Sequence, residues 1–510
     1  MHESQNKTIA KNTVVLYMRS IVLMLIGLYT SRIVLQALGI TDFGIYNAVG
    51  GIVGMMGFVS ASLSNATSRF ITIAIGKGDE EHINRTFGNI KILYYGLCIV
   101  IFIFAETLGL WFLYNKMIIP ENRLTSAFWV YQYSILSTLI GLMSVPYNSA
   151  IIAHERMSAF TYMSLLDGIL KLLTCYVLLI CPADKLILYG TFLFCIGVVD
   201  QVVYVTYCRR NFPEVYAKPR VYRKQMKEIF TISGWTLSGN VAYIMNTQGL
   251  NLLLNIFFGP IVNAARGIAL QVQGVIGLFI SNFQTAVNPQ ITKNYGIRNY
   301  ERMNELLEFS SRFSYLLMFL LSLPILIQTP IILKWWLGVV PPYSVTYLRL
   351  ILINYILCTL SNPLWISVLA TGKLKKYQIY DNMINFLILP ISWVVLKNGA
   401  ESYWVFLILI IAEIGSLIVR IWIVLPLIQY KYSNYFKEVL IPLSIVSSLA
   451  PILPFLISNK ITNDFFNFSC VCVSSFLGSL ILIWIFVLKK EEQIQIKKAC
   501  MARIKSIRNK

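Results

Sequence analysis

The residues of this chain able to do chemistry are charges set inside apolar runs. Arg19 and Arg32 lie in the first run, Glu106 in the third, Asp167 and Lys171 in the fifth, Asp200 in the sixth and Glu413 in the twelfth. A charge at mid-bilayer costs roughly 2.5–3.5 kcal/mol on an insertion scale, so each needs a reason to be there. Cations facing a wet cavity can hold an anionic ligand, and a guanidinium meets phosphate oxygens with two aligned donors. Glu106, Asp167, Asp200 and Glu413 are candidate proton or sodium relays, as membrane-buried carboxylates are.

Plainer readings stand beside these. Asp167 and Lys171, spaced i and i+4, share a helix face and can form a self-contained ion pair. Glu413 and Arg420, seven apart, also share a face. Arg69, Lys91, Arg312 and Arg420 fall near one end of their runs and Arg266 and Arg349 near the other, where a long side chain can snorkel to the interface. Six of the nine cysteines (Cys98, Cys175, Cys195, Cys358, Cys470, Cys472) sit in apolar runs as small hydrophobes. His2, His82 and His154 lie in polar connections, and no Cys/His spacing suits a metal. No cysteine has a neighbouring base to form its thiolate, and no cofactor is expected.

The elements that must position these charges follow from composition. Of 510 residues 57% are hydrophobic and only 13% charged, about half the usual charged share, and the apolar residues come in runs of about 20. A water-soluble enzyme, a disordered chain and a secreted disulfide scaffold are excluded. The expected fold is an all-α polytopic membrane protein. Fourteen transmembrane helices are expected, at about 13–38, 44–74, 88–113, 126–153, 158–181, 185–208, 229–256, 262–292, 309–333, 345–371, 376–397, 402–427, 439–458 and 467–488.

With the N-terminus inside, about 28 lysines and arginines fall on the cytoplasmic side and about six outside, so both termini are expected in the cytoplasm. The net charge of +20 then needs no nucleic-acid partner; basic loops and the tail 489–510 suit anionic headgroups. The first run has no small-residue cleavage site, so it is expected to remain as a helix.

A basic linker at 209–228 divides the first twelve helices into lobes 1–208 and 229–427, with two more helices in 428–488. Slid by 220 residues, the stretch from Leu38 overlies that from Phe258 without a gap. Gly39 then meets Gly259, Gly54 meets Gly274, Gly57 meets Gly277 and Gly76 meets Gly296. Six helices is an even number, so the repeats are parallel, and transporters so built place substrate between their halves.

The fourteen helices, the two halves and the pattern Arg32-x-x-Leu35-x-x-Leu38-Gly39-x-x-Asp42-Phe43-Gly44-x-Tyr46 resemble the bacterial polysaccharide flippases of the Wzx type. Those belong to the multidrug/oligosaccharidyl-lipid/polysaccharide (MOP) exporter superfamily. Physically the segment reads as a tight outer turn, with Asp42 as the cap of the second helix. The resemblance implies a non-enzymatic inner-membrane protein that moves an undecaprenyl-diphosphate-linked oligosaccharide to the outer leaflet, for O-antigen or capsular polysaccharide. It also implies coupling to an H+ or Na+ gradient and a polysaccharide polymerase or assembly proteins as partners. By position in the related lipid II flippases, it adds Arg266 to Arg19, Arg32 and Lys171 as cations for the diphosphate. A multidrug antiporter of the same superfamily is the alternative, although its members usually have twelve helices and an acidic cavity. A polymerase or acyltransferase fits less well, for want of a large outer loop and a buried histidine.

Overall fold

In hydrocarbon no water can satisfy a backbone N–H or C=O, so an apolar run crossing a bilayer must close its hydrogen bonds within itself as a helix. The computed structural model has that form. It describes residues 2–56, 80–154, 156–219, 244–490 and 492–494, with single positions such as Thr67, Ile71 and Met226 between these stretches. Gly57, Gly76, Arg69, the linker cations Arg220, Arg223, Lys224 and Lys227, and the tail from 495 lie outside the described residues. Among the described residues there is no strand, and twelve stretches are long and apolar enough to cross a membrane. The chain is a multi-pass, all-α membrane protein.

The helix His2–Met56 is broken at Gly39 (φ 77°, ψ 170°), which separates α1 (2–38) from α2 (40–56). There follow α3 (Glu80–Asn115), α4 (Leu124–Ala153), α5 (Met157–Ile180), α6 (Lys185–Asn211), α7 (Leu250–Phe258) and α8 (Pro260–Gly296). Then come α9 (Tyr300–Ile327), α10 (Ser344–Thr371), α11 (Leu374–Lys397), α12 (Trp404–Leu427), α13 (Tyr432–Ser458) and α14 (Asp464–Val487). Of the expected helices, the second is described continuously only to Met56 and the seventh only from Ile244.

Local chemistry sets the ends. Asp184 starts α6 by accepting from the N–H groups of Leu186 and Ile187, Asn299 starts α9 and Asn463 starts α14. Gly372, left-handed at φ 69°, ends α10. Gly259 has φ 78° and ψ −170°, so it shares with Gly39 a backbone region that is essentially glycine's alone. α3 carries a π-turn at Ala105–Gly109, and another, Met245–Gly249, leads into α7. Each inserts an extra residue into the helical turn, a device frequent at functional sites.

Contacts divide the chain into two units. The first holds residues 1–268, 341–344 and 385–404, and the second 269–340, 345–384 and 405–510. In the first unit α4 packs along α6, and α1 along α5. In the second, α9 packs against α14 and α10, and α13 against α14.

Candidate functional site

In the first unit, four of the candidate residues gather on the seam of α1, α5 and α6. Lys171 Nζ donates to Asp167 Oδ2 at 2.7 Å, the i, i+4 pair read from the sequence, with side chains 47% and 30% exposed. The Asp200 carboxyl on α6 is in hydrogen-bonding contact with Asp167. Arg19 on α1 donates through Nη1 to Ser164 Oγ on α5 at 3.3 Å and lies 4.6 Å above the Phe160 ring. Ser164 in turn meets the Tyr204 hydroxyl on α6. Two cations and two carboxylates thus share one seam, and the buried Arg19 Nε has no hydrogen-bond partner among the described residues.

Arg32, farther along α1, is exposed and has no ion-pair partner among the described residues. Glu106 lies in the π-turn of α3, where Oε2 accepts from Gln132 Nε2 on α4 at 3.3 Å while the buried Oε1 has no partner among the described residues. The Tyr131 hydroxyl donates to the Ala105 carbonyl in that turn at 2.7 Å, meeting a group the irregular helix leaves free. Arg266 is only 5% exposed and donates to the Thr247 carbonyl, in the π-turn before α7, at 2.7 Å. Burial at that carbonyl replaces the expected snorkelling of Arg266.

An asparagine network, unforeseen from the sequence, lies beside Arg266. Asn251 on α7 donates to the Asn47 carbonyl of α2 at 2.9 Å. Asn263 on α8 donates to the Asn251 carbonyl and side-chain oxygens at 2.7 and 2.9 Å. Asn255 donates to Asn263 at 3.1 Å and accepts from the Ile118 N–H at 3.0 Å. Gly44 on α2 approaches so closely that a Cβ there would lie 2.0 Å from the Pro260 carbonyl oxygen.

Three connections of this unit meet at Arg123. Its guanidinium donates to Asp42 at 2.8 Å through Nε, and to Asp184 at 2.8 and 3.1 Å. Ser126 Oγ also donates to Asp184, at 2.8 Å. The expected cap role of Asp42 is therefore superseded: its carboxylate turns to Arg123, which has more donors to offer than a helix end. Leu35, Leu38 and Phe43 of the same segment are buried, and Tyr46 packs edge-on against Tyr189 at 4.9 Å. Burial would raise the Asp184 carboxyl, but hydrogen bonds from Arg123, Ser126 and the Ile187 N–H hold it below the usual carboxylate range.

The second unit holds Glu413 in a buried charge network. Arg420 Nη1 donates to Glu413 Oε1 at 2.9 Å, and Nε and Nη2 grip Asp381 on α11 at 2.8 and 3.2 Å. Ser361 on α10 donates to Glu413 at 2.7 Å and also contacts Arg420. Arg420 is only 9% exposed, so its expected snorkelling does not occur. Arg312 likewise stays buried, bonded to the Val487 carbonyl at 2.8 Å and to Glu492 at 2.9 Å. Asp381 escaped the sequence reading because it stands only five residues beyond Lys376, where a charge reads as interfacial. Two carboxylates around one guanidinium leave this network one negative charge in excess when all are ionised. Among the described residues no His/Cys/Asp/Glu group is arranged to hold a metal ion.

Residues 239–393 match the MatE family model. A search of curated proteins gives no match. Among solved structures the chain is similar to the lipid II flippase MurJ in its inward closed conformation, at 14% identity over 93% of this chain and 98% of that one, with TM-score 0.69. It is also similar to a multidrug resistance MATE family transporter of the MOP superfamily. In the inward-facing form of that transporter the values are 15% identity, 79% and 96% coverage and TM-score 0.65. In an outward-facing form they are 15%, 81% and 93%, with TM-score 0.56. This chain is a polytopic membrane protein with the fold shared by the lipid II flippase MurJ and MATE transporters of the MOP superfamily.

Proposed function

We propose that the chain is an alternating-access transporter whose cargo is an undecaprenyl-diphosphate-linked oligosaccharide, carried from the cytoplasmic to the outer leaflet of the bacterial inner membrane. The observation that carries this reading is the extent of the flippase match, nearly the whole of both chains. Arg32 supports it, being a cation on α1 with no acid beside it among the described residues and so available to an anionic group. Lys171 is a weaker candidate than its depth suggested, since Asp167 already holds it. The Asp167–Asp200 contact and the Glu413–Arg420–Asp381 network are the places to look for coupling to H+ or Na+.

Parallel six-helix repeats fit the shared backbone state of Gly39 and Gly259. In this reading the Asn47–Asn251 bond and the Gly44–Pro260 approach close the outer side, and both must part before cargo leaves there.

A second reading is multidrug antiport, favoured by the MatE match over 239–393 and by the MATE transporters among the similar structures. One experiment separates the two. In a deletion strain, lipid-linked repeat units on the inner leaflet, surface polysaccharide and efflux of a cationic dye are measured together. The flippase reading expects lipid-linked units to accumulate and surface polymer to disappear, with dye efflux unchanged. Loss of dye efflux with intact polysaccharide would establish the second reading instead. Complementation by Arg32→Ala is expected to fail although the protein inserts normally.

A further inference from the structure

A surface groove of about 480 Å3 runs along the seam of α5 and α6, and none of Arg19, Asp167, Lys171 and Asp200 is among its lining residues. Its walls include Met163 and Leu166 from α5 and Val203 from α6; Arg156, Tyr162 and Tyr207 also line it. From Arg156 to Leu166 the helix rises about 15 Å, half the roughly 30 Å of a bilayer's hydrocarbon core. A trough polar at one end, apolar along its length and one leaflet deep has the shape of a single lipid.

The charge at its mouth selects which lipid. Arg156 is exposed, and no carboxylate partners it among the described residues. Val203, Tyr207 and Arg210, spaced four and three apart on α6, share a face, so the exposed Arg210 extends the same row by about a turn toward the headgroups. Arg209 stands beside it, also exposed. Tyrosines at this level suit the boundary between headgroup and acyl chain. The lysine and arginine count puts this end of both helices at the cytoplasmic leaflet.

We infer that the groove holds a phospholipid of the cytoplasmic leaflet, its anionic headgroup against Arg156 and one acyl chain laid between α5 and α6 as far as Leu166. Occupancy does not depend on what the protein transports.

The full chain, purified in a neutral detergent, is offered equimolar phosphatidylglycerol and phosphatidylcholine of identical acyl chains, and retained lipid is counted by native mass spectrometry. Phosphatidylglycerol should be retained in preference. Arg156→Gln should lower its retention about fivefold, the weight of one cation beside an anionic surface, and leave phosphatidylcholine unchanged. Val203→Trp, which fills the groove without touching a charge, should lower retention of both lipids. Arg156 is exposed and Val203 half-buried, and unchanged thermal unfolding would show that the variants fold. Equal retention of the two lipids by the unaltered chain overturns the proposal, as does undiminished phosphatidylglycerol in either variant. So does displacement of bound phosphatidylglycerol by a polyprenyl diphosphate, which would give the groove to a cargo lipid.

Discussion

Arg420 concentrates more electrostatic dependence than any other residue described in the second unit. Removing its side chain takes from Asp381 and Glu413 the guanidinium that both bind, and breaking a buried ion pair costs about 3–5 kcal/mol. Arg420→Ala is therefore expected to lower the thermal unfolding temperature in detergent sharply. Arg420→Lys should recover only part of the loss, because an ammonium cannot make the two-pronged grip on Asp381. Outside the spans, Asp184 makes stability pH-dependent. Its folded carboxyl lies below the ordinary range, so its contribution is complete above about pH 4 and is lost as pH falls through the lowered folded value. Asp184→Asn should cost about 1–2 kcal/mol at neutral pH, part of it screened by solvent, and should flatten the acid side of a melting-temperature profile. The sequence showed that Asp167 and Lys171 could pair and that Glu413 and Arg420 share a face, because helical spacing is local. It could not show Asp381 beside Arg420, 39 residues away, nor the asparagine network, whose members join three helices.

At the scale of the element, the helices were legible and their irregularities were not. Runs of about 20 apolar residues have one way to cross a bilayer, so most boundaries could be read to within a few residues. The break at Gly39 and the π-turns at Glu106 and Thr247 interrupt runs whose composition does not change there, and hydropathy passes over them. Gly39→Ala and Gly259→Ala should each cost about 1–3 kcal/mol, since alanine is strained at those angles even though Gly39 has open space around it. Gly44→Ala should be worse for a different reason: its methyl group would meet the backbone of Pro260, which has no side-chain freedom to yield. Yield of folded protein after detergent extraction, compared across the three variants, tests both statements. A Gly44→Ala variant as stable as the parent would contradict the close approach of α2 and α8.

For the whole molecule the proposed transport cycle turns on movement between states. If the outer side opens and closes through the Asn47–Asn251 contact, an Asn47→Cys/Asn251→Cys pair should block transport under oxidation and release it on reduction, while each single cysteine leaves it working. Transport that continues through a demonstrated cross-link would remove that contact from the cycle. The sugars of the proposed cargo were not legible at this scale, because sugars are recognised by hydrogen bonds scattered over surfaces that no short pattern reports. One feature of the second unit also bears on how the protein is made. Asp381 on α11 leaves the ribosome 39 residues ahead of the arginine that neutralises it, an interval of roughly 2–8 s at 5–20 residues per second. Until then α11 must wait at the translocon or enter the lipid before Arg420 can reach Asp381. An insertion assay should accordingly find α11 alone inefficient, and α11 with α12 efficient as a hairpin. The same arginine that stabilises the finished protein would then set the order of its assembly.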